Sequence, residues 1–446
     1  MELPAVPALL TVRRNYEMKR NIMKAIQSLC LFSLIATAPA AGVSDEPFRK
    51  DINPALRYFQ AFMIAPDLSQ ADRDYLFNRE WRGLNLPERF GEAVARYDKE
   101  FVQVRQAAQS AVPCDWGIDM SPGPFTLLPH LARCKAVAQA ARLRALWNLQ
   151  HARQAEARDD LLAALALGRN SARDGVLISV LVQIAMESIV CSAVAENFYQ
   201  FSPETLKQLV DGFDAAPPRT TVAAVMAGEE SFFAKWMEKK VLRLQKENPG
   251  DEAKVMAGIQ AVVENTLGGG GEQPSEAQPN VWEQVTQKAH TSEEILKLLR
   301  EEGPLYQRLA AVMALPQAEF ERQIKQFVAE VHESSNPFVA LTFPALEKCR
   351  PKEFMALAQL AMLRAAVEYK LHGEPGLKGV SDPFGQGPFA FRRFVFEGVD
   401  RGFELKSAFN SRGFEERLIF VEKDGPPFQI NGKNAGQAVP NAPVTK

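Results

Sequence analysis

Alanine and leucine recur at helical spacing from Asn53 to about Leu371, and this 3.6-residue periodicity constrains the chain more than any other feature. Glycine and proline cluster at intervals inside it, so the segment must fold back on itself as separate helices whose apolar stripes cover one another. The predicted class is mainly α, with helical hairpins packed as an α-bundle or short solenoid. At Gly373 the periodicity stops, and short alternating segments replace it. Phe389 to Phe396, Gly402 to Phe409 and Arg417 to Lys423 read as strands of a small C-terminal antiparallel β module. Phe389 and Phe391 fall out of phase with Phe394 and Phe396, which predicts a bulge or bend near Arg392.

Within the helical body, Pro54 to Ile64 reads as a short apolar helix, and Pro87 to Ser110 as a longer one carrying Phe90, Val94, Tyr97 and Phe101 on one stripe. A helix ending near His151 is followed by a polar turn and then by Ala157, Leu161 and Ala164 at the small-large-small positions where antiparallel helices touch. With Trp147 in its first helix, this hairpin resembles one tetratricopeptide unit. Val176 to Ala195 is apolar almost all round and is expected to be surrounded by other helices. Gln183 and Glu187 interrupt it one turn apart, which argues against a membrane span. Ser202-Pro203 supplies a capping hydroxyl and an N1 proline for the next helix. Arg219 to Glu247 reads as one amphipathic, basic helix with interleaved glutamates. The run LGGGGEQPSEAQPN, 267–280, predicts a flexible linker between a helical domain at 41–266 and a second helical segment at 281–372. Helices are expected there at Val281 to Lys288, Thr291 to Arg300, Pro304 to Val331 and Pro351 to Leu371. The β module then occupies 373–431, and 432–446 is expected to be a disordered tail.

From Met18 the chain reads MKRNIMK and then AIQSLCLFSLIATAPAAG, a basic stretch, an apolar run and small residues. That is the grammar of a secretory signal peptide over residues 1–40, cut after Ala40, with Met18 or Met23 as the expected true start. The expected location is periplasmic or secreted, in a bacterium, with no stable membrane span after cleavage. Removal of the signal leaves Cys114, Cys134, Cys191 and Cys349, which allow three pairings. A Cys114 to Cys134 bridge is the most local of these, and four buried free thiols are the alternative.

With 52 basic and 54 acidic residues, no global field draws the chain to nucleic acid. The five histidines stand singly, no HExxH, GxSxG, SxxK or GxGxxG motif occurs, and no metal or cofactor is expected. Catalysis without a local motif remains open, because two carboxylates held at the right separation suffice for a hydrolase. Glu187 is the first candidate, since its helix reads as buried and burial raises a carboxyl pKa; pairing with Gln183 or a neighbouring arginine is the structural alternative. Glu229 and Glu230, after Gly228, are the second candidates, with a solvated helix face as theirs. Trp116 and Phe125 are either groove-lining or core aromatics.

The run from Leu360 to Ser407 carries Tyr369, Gly373, Asp382-Pro383-Phe384-Gly385, Pro388, Phe391 and Leu405. It resembles the carboxyl half of a type II secretion major pseudopilin, and also the ends of secreted bacterial proteins with helical bodies, of planctomycete or verrucomicrobial type. The resemblance implies a local αβ module and, as one functional reading, an accessory of a secretion or pilus-like machine. The family's prepilin cleavage site and calcium loop have no counterpart here, where only Asn410-Ser411-Arg412-Gly413 follows the strand. The leading reading is a non-enzymatic scaffold or interaction protein of the cell envelope with a protein partner. An exported hydrolase with a carboxylate site between helices is its rival from another class.

Overall fold

A computed structural model describes residues 51–77, 85–267, 281–411, 414–425, 430–431 and 434–435. The expected signal peptide and almost all of the glycine run lie outside the described residues. From Ile52 onward the chain forms one compact unit.

At its centre stand four helices, Pro129–Gln150, Gln154–Ser171, Leu177–Glu196 and Cys349–His372, packed on one another. The first two form the expected hairpin, and Ala157, Leu161 and Ala164 are buried where they meet. Leu177–Glu196 is long and apolar enough to cross a membrane, yet it packs against its helical neighbours and the strand Phe414–Val421. Small side chains allow the close approach: Gly168 meets Met186 across the second and third helices. The helix after Ser202 begins as expected, with the Ser202 hydroxyl accepting from the Thr205 amide.

The three-stranded antiparallel sheet, β1 (Ala390–Phe396), β2 (Val399–Ser411) and β3 (Phe414–Val421), packs against Leu177–Glu196 and Cys349–His372. Phe403 is the hinge of that packing, 4.9 Å from the Tyr369 ring and 5.1 Å from Phe420. The preceding loop is clamped by Asp382, whose carboxylate accepts from the Ser407 hydroxyl at 2.9 Å and the Ala408 amide at 2.5 Å. The sheet thus completes the core of the helical body, which draws one hydrophobic cluster from Ala55 through Phe213 and from Ala358 through Phe420.

Several boundaries differ from expectation for local reasons. The Pro87 to Ser110 helix is broken into Glu88–Phe90, Gly91–Ala95 and Asp98–Ala108, and the aromatic stripe survives the breaks, with Phe90, Val94, Tyr97 and Phe101 all buried. Phe233, at φ −113° and ψ −75°, interrupts the Arg219 to Glu247 segment, leaving Met226–Phe232 and Ala234–Glu247. Pro316 lacks the amide hydrogen a helix interior needs, so Pro304 to Val331 becomes Glu302–Met313 and Gln317–Glu333. No bend is needed near Arg392. Plain alternation puts Phe391 against Tyr369 and places Phe394 and Phe396 on the opposite face with Ile419 and Val421. The register slips instead between Phe394 and Val395, opposite Gly402 and Asp400, where Arg401 is the extra residue. The chain on either side of 267–280 shares a second cluster, from Ala172 and Val222 to Phe327 and Phe354. That run therefore connects parts of one unit. Within 432–446, Asn434–Ala435 pairs antiparallel with Ile430–Asn431.

Candidate functional site

Glu187 is fully buried, and it is spent. Arg219 donates to both carboxylate oxygens at 2.8 Å, and Arg169 Nε lies 3.3 Å from Oε1. One turn earlier, the Gln183 amide exchanges two hydrogen bonds of 3.1 Å with the backbone of Thr220. The two polar positions of an otherwise apolar helix thus pin the connection that follows Ala215. The pairing is with arginines, and both carboxylate oxygens are engaged in a side chain with no exposure.

Glu229 is also structural. Its Oε1 accepts from the Leu177 amide at 2.6 Å, capping the N-terminus of the central apolar helix, and burial raises its pKa. The approach depends on Gly228: a Cβ there would stand 2.1 Å from the Gly175 carbonyl oxygen. Gly228→Ala is expected to push Met226–Phe232 off that turn and to lower stability by about 1–3 kcal/mol, read from the midpoint of urea unfolding. Glu230 pairs with Lys235 at 3.1 Å. Glu302, which no sequence pattern marked, lies beside it with 0% exposure and no hydrogen-bond partner for either carboxyl oxygen. Burial, reinforced by Glu230, pushes Glu302 up to about 8. Glu187 therefore stands apart from Glu229 and Glu230, each serving its own contact.

Cys114, Cys134, Cys191 and Cys349 are all buried, and Cys114 and Cys134 are thiols, so the local bridge between them is not formed. Both thiols neighbour Tyr58, where burial pushes Cys114 up to about 12 and disfavours the reactive thiolate. Trp116 anchors that region: its ring stacks on Tyr58 and packs on His130, and its Nε1 donates to the Asn170 carbonyl at 2.8 Å. Phe125 is half exposed against Trp236, so the two aromatics line no common groove. Among the described residues, no three metal-ligating side chains converge.

Two surface features are left over. The first is the outward side of Pro54–Met63, whose inner side buries Ala55, Tyr58 and Ala61. Leu56, Phe59 and Met63, at i, i+3 and i+7, stay exposed together with Ile64; Met63 is 77% accessible. The second is a cleft of about 280 Å³ lined by Arg73, Asp74, Tyr97, Glu100, Arg133 and Gln139 among others. Tyr97 and Glu100 come from the start of Asp98–Ala108, Arg73 and Asp74 from Gln70–Phe77, and Arg133 and Gln139 from Pro129–Gln150. Glu100 is 3% exposed, its Oε2 has no hydrogen-bond partner, and burial pushes it up to about 7 against the pull of Arg144 and Arg133. Tyr97 rises to about 12 by burial and by the neighbouring Glu100 charge. Glu100 escaped the sequence reading because attention to Tyr97 and Phe101 cast that helix as core. The signal was there: a carboxylate three residues after Tyr97 and four before Val104 falls on the apolar stripe itself.

No family model matches this chain, and neither a curated protein nor a solved structure does, so its chemistry is carried by these residues alone.

Proposed function

We propose that this chain is an exported α-helical interaction protein of the bacterial cell envelope, and that it engages a protein partner through the outward face of Pro54–Met63. One observation carries the reading: the exposed stripe of Leu56, Phe59, Met63 and Ile64 on a helix that already buries its other side. A surface helix with a spare apolar face leaves that area in water, and covering it returns about 25 cal/mol per Å². The signal grammar ending at Ala38-Pro39-Ala40 supports export. The use of Glu187 and Glu229 in core contacts, and the pairing of Glu230 with Lys235, support this reading over the rival hydrolase.

The test uses the chain from Ala41 to Lys446 as bait in envelope extracts, beside a Leu56→Glu, Met63→Glu double variant. Both positions are exposed, so the variant keeps its circular dichroism and unfolding midpoint. A protein retained by the wild type and lost by the variant is the expected result. Identical capture by both, or capture by neither, removes this face as the interaction site.

A further inference from the structure

The cleft between Gln70–Phe77, Asp98–Ala108 and Pro129–Gln150 is independent of the apolar face and has a composition of its own. Arg133 is exposed at its wall, near enough to Glu100 to favour the charged carboxylate yet beyond salt-bridge distance. Among the described residues, Arg73, half exposed, makes a 3.3 Å ion pair with Asp67 and a 3.0 Å hydrogen bond to the Leu68 carbonyl. Gln139 and the Tyr97 hydroxyl add neutral donors. The other lining carboxylate, Asp74, accepts from the Gln70 amide at 2.9 Å. Arg144, the remaining cation felt by Glu100, is already committed to Asp98 at 2.5 Å and Asp160 at 2.8 Å. Two guanidinium groups therefore line the cleft, Arg73 with Asp67 as its ion-pair partner and Arg133 beyond salt-bridge distance of Glu100, beside Asp74 and an almost wholly enclosed carboxyl.

We propose that this cleft binds a small oxyanion, a carboxylate or a tetrahedral phosphate-like group, held by Arg73 and Arg133 with the Glu100 carboxyl as a direct hydrogen-bond partner. Guanidinium groups match planar or tetrahedral oxyanions through paired N–H donors, and Arg133 is exposed at the wall to offer them. The volume lies at the small end of ligand sites, which run from about 300 Å³ upward, so a compact ligand fits and a polymer does not. Glu100 can donate only while protonated. With its pKa near 7 in the free protein, an arriving anion makes ionisation still less favourable, and binding takes up a proton. Affinity is therefore greatest below neutral pH and falls as pH rises through the Glu100 pKa, by at most about tenfold per pH unit.

The experiment is calorimetric titration of the purified chain with inorganic sulfate and, separately, succinate, each fully ionised above about pH 6.5. Saturable binding of sulfate identifies a tetrahedral site, and saturable binding of succinate a carboxylate site. In either case Arg133→Ala should weaken binding about tenfold, the loss of one charge-assisted hydrogen bond, while leaving the unfolding midpoint unchanged. Glu100→Gln keeps a neutral donor of the same shape and should retain binding while flattening its pH dependence. Absence of saturable heat with both probes overturns the proposal. So does a Glu100→Gln variant whose affinity follows the wild-type pH curve.

Discussion

Acidifying this protein from about pH 8 to about pH 5 should make it harder to unfold, and Glu302→Gln should abolish about half of that gain. The carboxyl of Glu302 is fully enclosed, neither oxygen has a hydrogen-bond partner, and Glu230 adds a like charge beside it. Its pKa is raised to about 8 in the folded chain, whereas an unfolded glutamate titrates near the model value of 4.5. A raised carboxyl binds its proton more tightly when folded, so its burial is tolerated fully below about pH 4.5 and becomes progressively costly up to about pH 8. At neutral pH the cost is on the order of 3 kcal/mol, from about 1.4 kcal/mol per unit of pH above the unfolded pKa.

The groups facing Glu302 do not cancel this. Tyr306 lies on the same helix and its own pKa is raised by Glu302, while Lys235 is engaged with Glu230. Glu100 and Glu416, raised to about 7 and about 6, contribute in the same direction over a narrower range. Carboxylates with lowered values, such as Asp214 and Asp400, lose their stabilising contribution only at more acidic pH. Urea unfolding at about pH 5, 6.5 and 8 decides the matter. A wild-type midpoint that rises on acidification, with a Glu302→Gln midpoint that rises about half as steeply and is higher at neutral pH, is the expected pattern. A level wild-type midpoint, or equal slopes for the two proteins, would show that Glu302 is not the titrating group.

The architecture was legible because helical periodicity and its end at Gly373 are local signals. Gly373, at φ 65°, does terminate Cys349–His372, with its amide bonded to the Tyr369 carbonyl. The central apolar helix was recognisable from Val176 to Ala195, and the cap at Ser202 obeys ordinary chemistry. Breaks inside amphipathic runs were not legible, because the apolar stripe continues through Phe233 and across Pro316 while the backbone does not. The site residues were hidden for another reason. Glu100 acquires its environment from Arg133 on a different helix, and Glu302 from Glu230, so the relevant neighbours are distant in sequence. Glu187 illustrates the converse. A carboxylate in an apolar helix was visible at once, but whether it is catalytic or paired depends on Arg169 and Arg219, which sequence spacing alone does not place beside it.

That pairing makes Glu187→Ala the most damaging single substitution expected in the chain. The carboxylate ties together three segments: its own helix, Gln154–Ser171 through Arg169, and the connection after Ala215 through Arg219. Arg169 also donates to the carbonyls of Phe213 at 3.0 Å and Pro217 at 3.1 Å, so the knot fixes where that connection runs. Removing Glu187 leaves two guanidinium groups buried without their counter-ion, and breaking such a group costs about 3–5 kcal/mol. Replacing Arg169, Glu187 and Arg219 together by apolar residues of similar volume should cost far less, because no uncompensated charge remains. The ordering separates a structural knot from a catalytic carboxylate. A catalytic Glu187 would be dispensable for stability, and its alanine variant would unfold at the wild-type urea concentration. A packing knot predicts a large fall in midpoint for Glu187→Ala, a smaller one for Glu187→Gln, which keeps an acceptor for Arg219, and substantial recovery in the apolar triple variant.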